Sequence, residues 1–338
     1  MAKLEVDNGN IFRKFLARSE LLFELTCHLD IEDFVSLYAI SKEFHYLVNL
    51  RLSTQLLSHA RMNVPQSAFI FRFKAYRHLC INDPTAPQNH EASGKIRRVP
   101  SLRWLRMVHF REKVVDEIIQ LLAEESHRLP PETKLTIKKI WFTMDLAHNS
   151  TRVGLMHNSS FWTDNDIFYA CLFFIKLDMR FNDPIDGEGH GGLRQLMLGQ
   201  RSLTTLWKAL RHEDPLTPLG LMRLYVRWSY QPAPEHRHMS ILGVPADQVG
   251  RGCKEGWGKG AVSLLRPDQL VVREGIRRRL DIHKRYMDMM LFGYMDNKTF
   301  HELSLSKPSE DLLFKEPLDD TFDNEGSIRH EDVIIDEH

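Results

Sequence analysis

Apolar residues recur along this chain at three- and four-residue spacing in short, interrupted runs, and they rarely alternate one-for-one with polar residues. A helix returns a side chain to the same face every 3.6 residues and a strand every two, so this spacing favours helices over sheet. Leu21, Leu22, Leu25 and Leu29 make a first stripe; Phe34, Leu37, Tyr38, Phe44, Leu47 and Val48 continue it. Asp30, with Asp33 three residues on, reads as a helix N-cap with acid in the first turn, where the helix dipole favours negative charge. Ser41 is placed to cap another helix after a break. Residues 16–57 are therefore expected to form a bundle of three short helices.

A stretch rich in Pro, Asn and Gly over 82–94 marks a loop between this bundle and the rest of the chain. Val114, Val115, Ile118, Ile119 and Leu122 predict an amphipathic helix, which Leu129-Pro130-Pro131 must stop because proline lacks the amide hydrogen and clashes with the preceding turn. The aromatic and Leu-rich run 166–181 fits a buried helix or a strand pair, and its length favours the helix. Further helices are expected over 202–211, 218–228, 267–279 and 281–293. No repeat of about 20 to 50 residues is visible, which argues against solenoids and propellers. The expected fold class is thus all-α or mainly α: a short three-helix bundle at 16–57, a larger helical domain at 60–305 and an acidic, flexible tail at 306–338.

At 338 residues, 43% hydrophobic and 27% charged, the chain has the composition of a folded globular protein and the length for one large domain or two moderate ones. Cys27, Cys80, Cys171 and Cys253 stand too far apart for a CxxC pair or zinc-ligand spacing and read as free thiols in a reducing compartment. The first ten residues carry Lys3, Glu5 and Asp7 instead of an apolar signal core, and no run reaches about 18 uninterrupted apolar residues. An intracellular protein, cytoplasmic or nuclear, without a membrane span is expected. Net charge is zero, but residues 307–338 hold eleven acidic residues against three basic ones, a balance of minus eight that leaves plus eight on residues 1–306.

The constellations that could carry chemistry are weak. Gly258-Lys259 resembles the end of a phosphate-binding loop, yet Cys253 stands at the leading glycine position and Gly260 where Ser or Thr would hold magnesium; a flexible glycine-hinged loop is the preferred reading of 250–260. The His-Glu pairs at His90, His212, His301 and His330 lack a second His four residues on, and no G-x-S-x-G elbow occurs. Asp183, Asp186, Glu188 and His190 cluster before Gly191-Gly192 without the ligand alternation of a calcium loop, so a solvated turn is preferred. Arg97, Arg98, Arg103, Arg106 and Arg111 gather around Trp104 and Phe110, and Arg277, Arg278 and Arg279 form a second basic run; the neutral net charge favours a solvated or acid-paired surface over nucleic-acid binding, and the acidic tail is a possible occupant of either run. No catalytic residue, metal ligand or cofactor-binding residue is assigned. An uncharacterised enzyme using the polar groups of 164–190, or a structural or nucleic-acid-associated protein using the arginine runs, are the alternatives from other classes.

One segment is more specific. Glu24-Leu25, Leu29, the acidic turn through Asp33, then Phe34, Leu37, Ile40-Ser41-Lys42 and Phe44 resemble an F-box, and Ile40-Ser41-Lys42-Glu43-Phe44 is similar to that family's Val-Ser-Lys/Arg-x-Phe/Trp core. Arg18 stands where the family usually has the proline of its opening Leu-Pro. The rest of the chain resembles filamentous-fungal proteins that carry such a box. What the resemblance implies is docking on the Skp adaptor of a cullin-RING ubiquitin ligase, with an unknown protein substrate held by the larger domain. The partner-binding residues it implies are Leu21, Leu22, Leu25, Leu29, Phe34, Leu37, Ile40, Ser41, Phe44 and Leu47, which would present apolar side chains to a hydrophobic partner groove.

Overall fold

The computed structural model describes residues 18–85, 97–182, 192–213 and 217–294. The chain is mainly helical, with a single two-stranded sheet among the described residues. It divides into two compact units, residues 1–112 and 113–338. The division falls within a long helix, because helices beyond the expected bundle 16–57 pack on those before it. The acidic tail and the Asp183, Asp186, Glu188 and His190 cluster lie outside the described residues.

In the first unit, α1 (Ser19–His28), α2 (Ile31–Ile40) and α3 (Lys42–Asn49) are followed by α4 (Leu52–Asn63) and α5 (Pro65–Ile70). The breaks between them follow from local chemistry. The Asp30 carboxylate accepts the Glu32 amide at 3.2 Å and opens α2, and the Ser41 hydroxyl accepts the Phe44 amide at 3.2 Å and opens α3. Two 3₁₀ turns lead into β1 (Cys80–Asn82), which pairs antiparallel with β2 (Arg98–Pro100), Ile81 opposite Val99. Thus the expected loop 82–94 is flanked by paired strands; residues 86–96 are not among those described. The start of α6 (Leu102–Glu124) closes the unit: Trp104 Nε1 donates to Phe71 O at 2.8 Å, and the buried Arg111 guanidinium lies 4.5 Å from the Phe71 ring while donating to the Tyr76 hydroxyl at 3.0 Å.

The second unit is built around α9 (Asp164–Phe181), which packs against α7 (Thr133–Met144), α10 (Leu193–Leu198), α13 (Pro267–Arg277) and α14 (Tyr286–Leu291). The helices α8 (Asn149–His157), α11 (Thr204–Leu210) and α12 (Pro218–Trp228) complete it. The helix expected up to the prolines ends earlier, at Glu124, where Ser126 adopts a left-handed φ of 68°. The expected helix 281–293 divides into a 3₁₀ turn, Ile282–Arg285, and α14.

Buried polar side chains tie these helices through the backbone. Thr163 and Asp166 form a reciprocal capping box at the start of α9, and the same carboxylate accepts Lys139 Nζ at 2.7 Å and Thr136 Oγ1 at 3.0 Å from α7. Lys176, buried at the middle of α9, donates to Phe292 O at 2.7 Å and Met290 O at 2.9 Å; burial pushes its ammonium down to about 7. The glycine-rich stretch is not a free hinge. Gly250, Gly252 and Cys253 donate their amides to the carbonyls of Val226, Arg227 and Trp228, and a Cβ on Gly250 would lie 2.2 Å from Tyr230 O, so the approach requires glycine.

Asp166→Ala removes the carboxylate half of the α9 capping box and leaves Lys139 buried without its counter-ion. We expect a loss of about 3–5 kcal/mol in urea unfolding followed by circular dichroism, the range for breaking a buried ion pair from one side. A loss below about 1 kcal/mol, the scale of one cap alone, would show that Lys139 finds another partner.

Candidate partner-docking surface

The F-box-like segment lies wholly within the first unit, and its side chains sort into three groups. Leu22, Phe34 and Phe44 are in the core; Phe34 and Phe44 meet edge to face with ring centroids 5.7 Å apart. Leu21, Leu25, Leu29, Leu37, Ser41 and Leu47 are half-buried. Only Ile40 of the ten implied residues stands free, with 80% of its surface exposed. Leu22, Phe34 and Phe44 therefore fix the helices, and the side chains that solvent reaches come from the half-buried and exposed sets.

Two residues that the resemblance does not single out join the exposed set. Tyr46 and Leu50, at i and i+4 around the end of α3, are 64% and 50% exposed. With Ile40 at the end of α2, and Leu37 and Leu47 half-buried on the same two helices, they form the apolar offering of α2 and α3. Their helical spacing is equally that of core residues, so spacing alone did not set them apart. Arg18, in place of proline, leaves α1 without a side-chain cap, yet its extended backbone still passes its carbonyl to the Leu22 amide at 3.0 Å and the helix begins normally.

A buried His59 and a half-buried His109 pair behind these helices. His59 on α4 stacks on Phe34 with centroids 5.6 Å apart, and its Nε2 lies 3.0 Å from Leu29 O at the end of α1. A carbonyl can only accept, so Nε2 carries the proton and Nδ1 is left as an acceptor. His109 Nε2 of α6, at 3.2 Å, then donates to that Nδ1. This relay runs from α6 through α4 to the C-terminus of α1 and requires the His59 ring neutral. Burial holds both imidazoles below their usual range; His109, further depressed by His59, sits at about 4, with Asp30 and Glu112 acting weakly in the other direction.

Other sequence candidates are used internally. Arg97 faces Asp83 at 3.5 Å, Arg98 donates to Arg77 O, Arg106 pairs with Glu32 at 2.7 Å and Arg111 is buried. Arg277 and Arg278 both bind the buried Glu274. Of the polar groups in 164–190, Asp164 pairs with Arg278, Asp166 caps α9, Lys176 binds carbonyls and Asp178 meets Arg194 at 3.0 Å. Among the described residues no group of three or more His, Cys, Asp or Glu side chains is placed to hold a metal ion, and no helix is long and apolar enough to cross a membrane. Compared with known proteins, the chain matches no family model, no curated protein and no solved structure.

The neutral histidine pair makes the first unit acid-sensitive. The folded pKa values lie below the unfolded value, so the unfolded chain binds more protons as pH falls: stability is full above about 6.5 and declines from there toward 4. We expect a loss on the order of 1–3 kcal/mol across that window in urea melts, and a flatter profile for His109→Leu. An unchanged slope in that variant would place the acid sensitivity elsewhere.

Proposed function

We propose that this chain is an F-box-like adaptor or substrate receptor that docks on the Skp adaptor of a cullin-RING ubiquitin ligase. The observation that carries the reading is the placement of Ile40, Tyr46 and Leu50 in solvent at two capped helices whose opposite faces hold Phe34 and Phe44 in the core. The same helices contain Ile40-Ser41-Lys42-Glu43-Phe44, the part of the segment that most resembles the family core.

Physically, short helices already folded against α4 cost little ordering on binding, so the burial of their apolar side chains is available to the complex. Each Leu or Ile side chain fully buried contributes about 1.5–3 kcal/mol, and three to five such groups suffice for a specific contact. Such a surface is a generic handle, since apolar contact discriminates poorly among partners. Selection of the protein substrate then belongs to the larger unit, which has its own shape and charge pattern.

Ile40→Asp combined with Leu50→Asp tests the docking separately from folding, since both side chains are exposed in the free chain. Calorimetric titration with the purified Skp adaptor should lose affinity by on the order of a hundredfold, whereas the melting curve should move little, as for surface substitutions. Wild-type affinity in this folded variant would overturn the assignment.

A further inference from the structure

The second unit carries an apolar face that nothing described covers. Leu219, Met222 and Tyr225 follow one another at three-residue spacing along α12, and all three are exposed. Tyr230 extends the stripe, its ring centroid 6.5 Å from that of Tyr225. On the adjoining side stand Arg223 and Arg227, one turn apart and both exposed. Arg223 donates only to Leu242 O, and among the described residues neither arginine has a carboxylate partner. The nearby acids in sequence, Glu235 and Asp247, pair with neither. Tyr, Met and Arg are the residues enriched where proteins meet other chains. In the two arginine runs prominent in the sequence, Arg97, Arg98, Arg106, Arg111, Arg277 and Arg278 already have partners within the molecule.

We propose that residues 310–323 of this same chain bind the α12 face and close it to other acidic, apolar segments. The segment places Leu312, Leu313, Phe314, Leu318 and Phe322 among Glu310, Asp311, Glu316, Asp319, Asp320 and Asp323, with Lys315 as its single cation. Its apolar side chains match the Leu219 to Tyr230 stripe, and its carboxylates match Arg223 and Arg227. The connection permits it: from Tyr294, the last described residue, to Glu310 is 310 − 294 = 16 residues, which reach about 50 Å when extended. Tethering raises the local concentration of the segment to the millimolar scale, so weak contacts suffice to keep the face occupied. This inference is independent of adaptor docking, which uses the other unit.

The test is the rate at which dilute hydrogen peroxide oxidises Met222 in the purified full chain, read by peptide mass spectrometry against Met62 and Met287. In the described residues these three thioethers are 55%, 53% and 61% exposed, so an uncovered Met222 should react like its references. We expect Met222 to react more slowly than both. Asp319→Lys with Asp320→Lys should accelerate it about tenfold, the change expected when a nine-tenths occupied face is released. Arg223→Glu with Arg227→Glu should do the same, and the four substitutions together should restore the slow rate. If the arginine variant fails to fold by circular dichroism, the acidic-segment variant decides alone. A wild-type Met222 as fast as its references, or one indifferent to the acidic-segment substitutions, overturns the proposal. Protection that disappears on dilution also overturns it, because a second copy is then the occupant.

Discussion

Helices of six to twelve residues are not stable alone in water, because nucleation costs more than so few hydrogen bonds return. Most helices of this chain are of that length, so each must be held by what it buries. In the first unit the anchor is Phe44 edge-on to Phe34 and Phe34 stacked on His59, extended by hydrogen bonds to His109 on one side and Leu29 O on the other. Five helices meet in that one chain of contacts, α1 through Leu29 O at its end. Because these groups face inward, the side chains between them on α2 and α3 face out, and an exposed Ile40, Tyr46 and Leu50 follow from the need to bury Phe34 and Phe44.

The second unit meets the same constraint with polar side chains. Asp166, Lys176, Arg152 and Arg278 are largely removed from water, and each bonds two or more groups on other segments; Arg278 reaches Trp162 O and Met156 O besides Glu274. Bonds of this kind satisfy carbonyls at helix ends that would otherwise be stranded. They also withdraw from chemistry the carboxylates and cations between 164 and 182 that resemble catalytic material in the sequence. The arginines of α12 stand apart because their neighbours on the helix are exposed apolar groups instead of acids.

Legibility in the sequence followed the range of the interaction. Helix starts made by a side chain and its own next turn, Asp30 for α2 and Ser41 for α3, were readable directly, and α12 was expected over the range it occupies. Helix α7 escaped because its buried face includes Lys138 and Lys139, whose charge disguises the apolar period; their burial depends on partners such as Asp166, twenty-seven residues from Lys139. For the cluster Arg97 to Arg111 a solvated or acid-paired surface was expected, but the acid that meets Arg106, Glu32, lies seventy-four residues away and could not be named from the sequence. Within the docking segment the spacing marked which residues are apolar on each helix. It could not separate inward Phe44 from outward Tyr46 and Leu50, since that depends on α4 and the ring of His59.

The central claim is that the ends of α2 and α3 form a docking surface for the Skp adaptor. Hydrogen–deuterium exchange of the full chain, with and without a saturating amount of the purified adaptor, tests it most directly because it locates contact without altering a residue. Slowed exchange concentrated between Leu37 and Leu50 is the predicted result. Exchange unchanged in that interval, or protection confined to the second unit, would contradict the account.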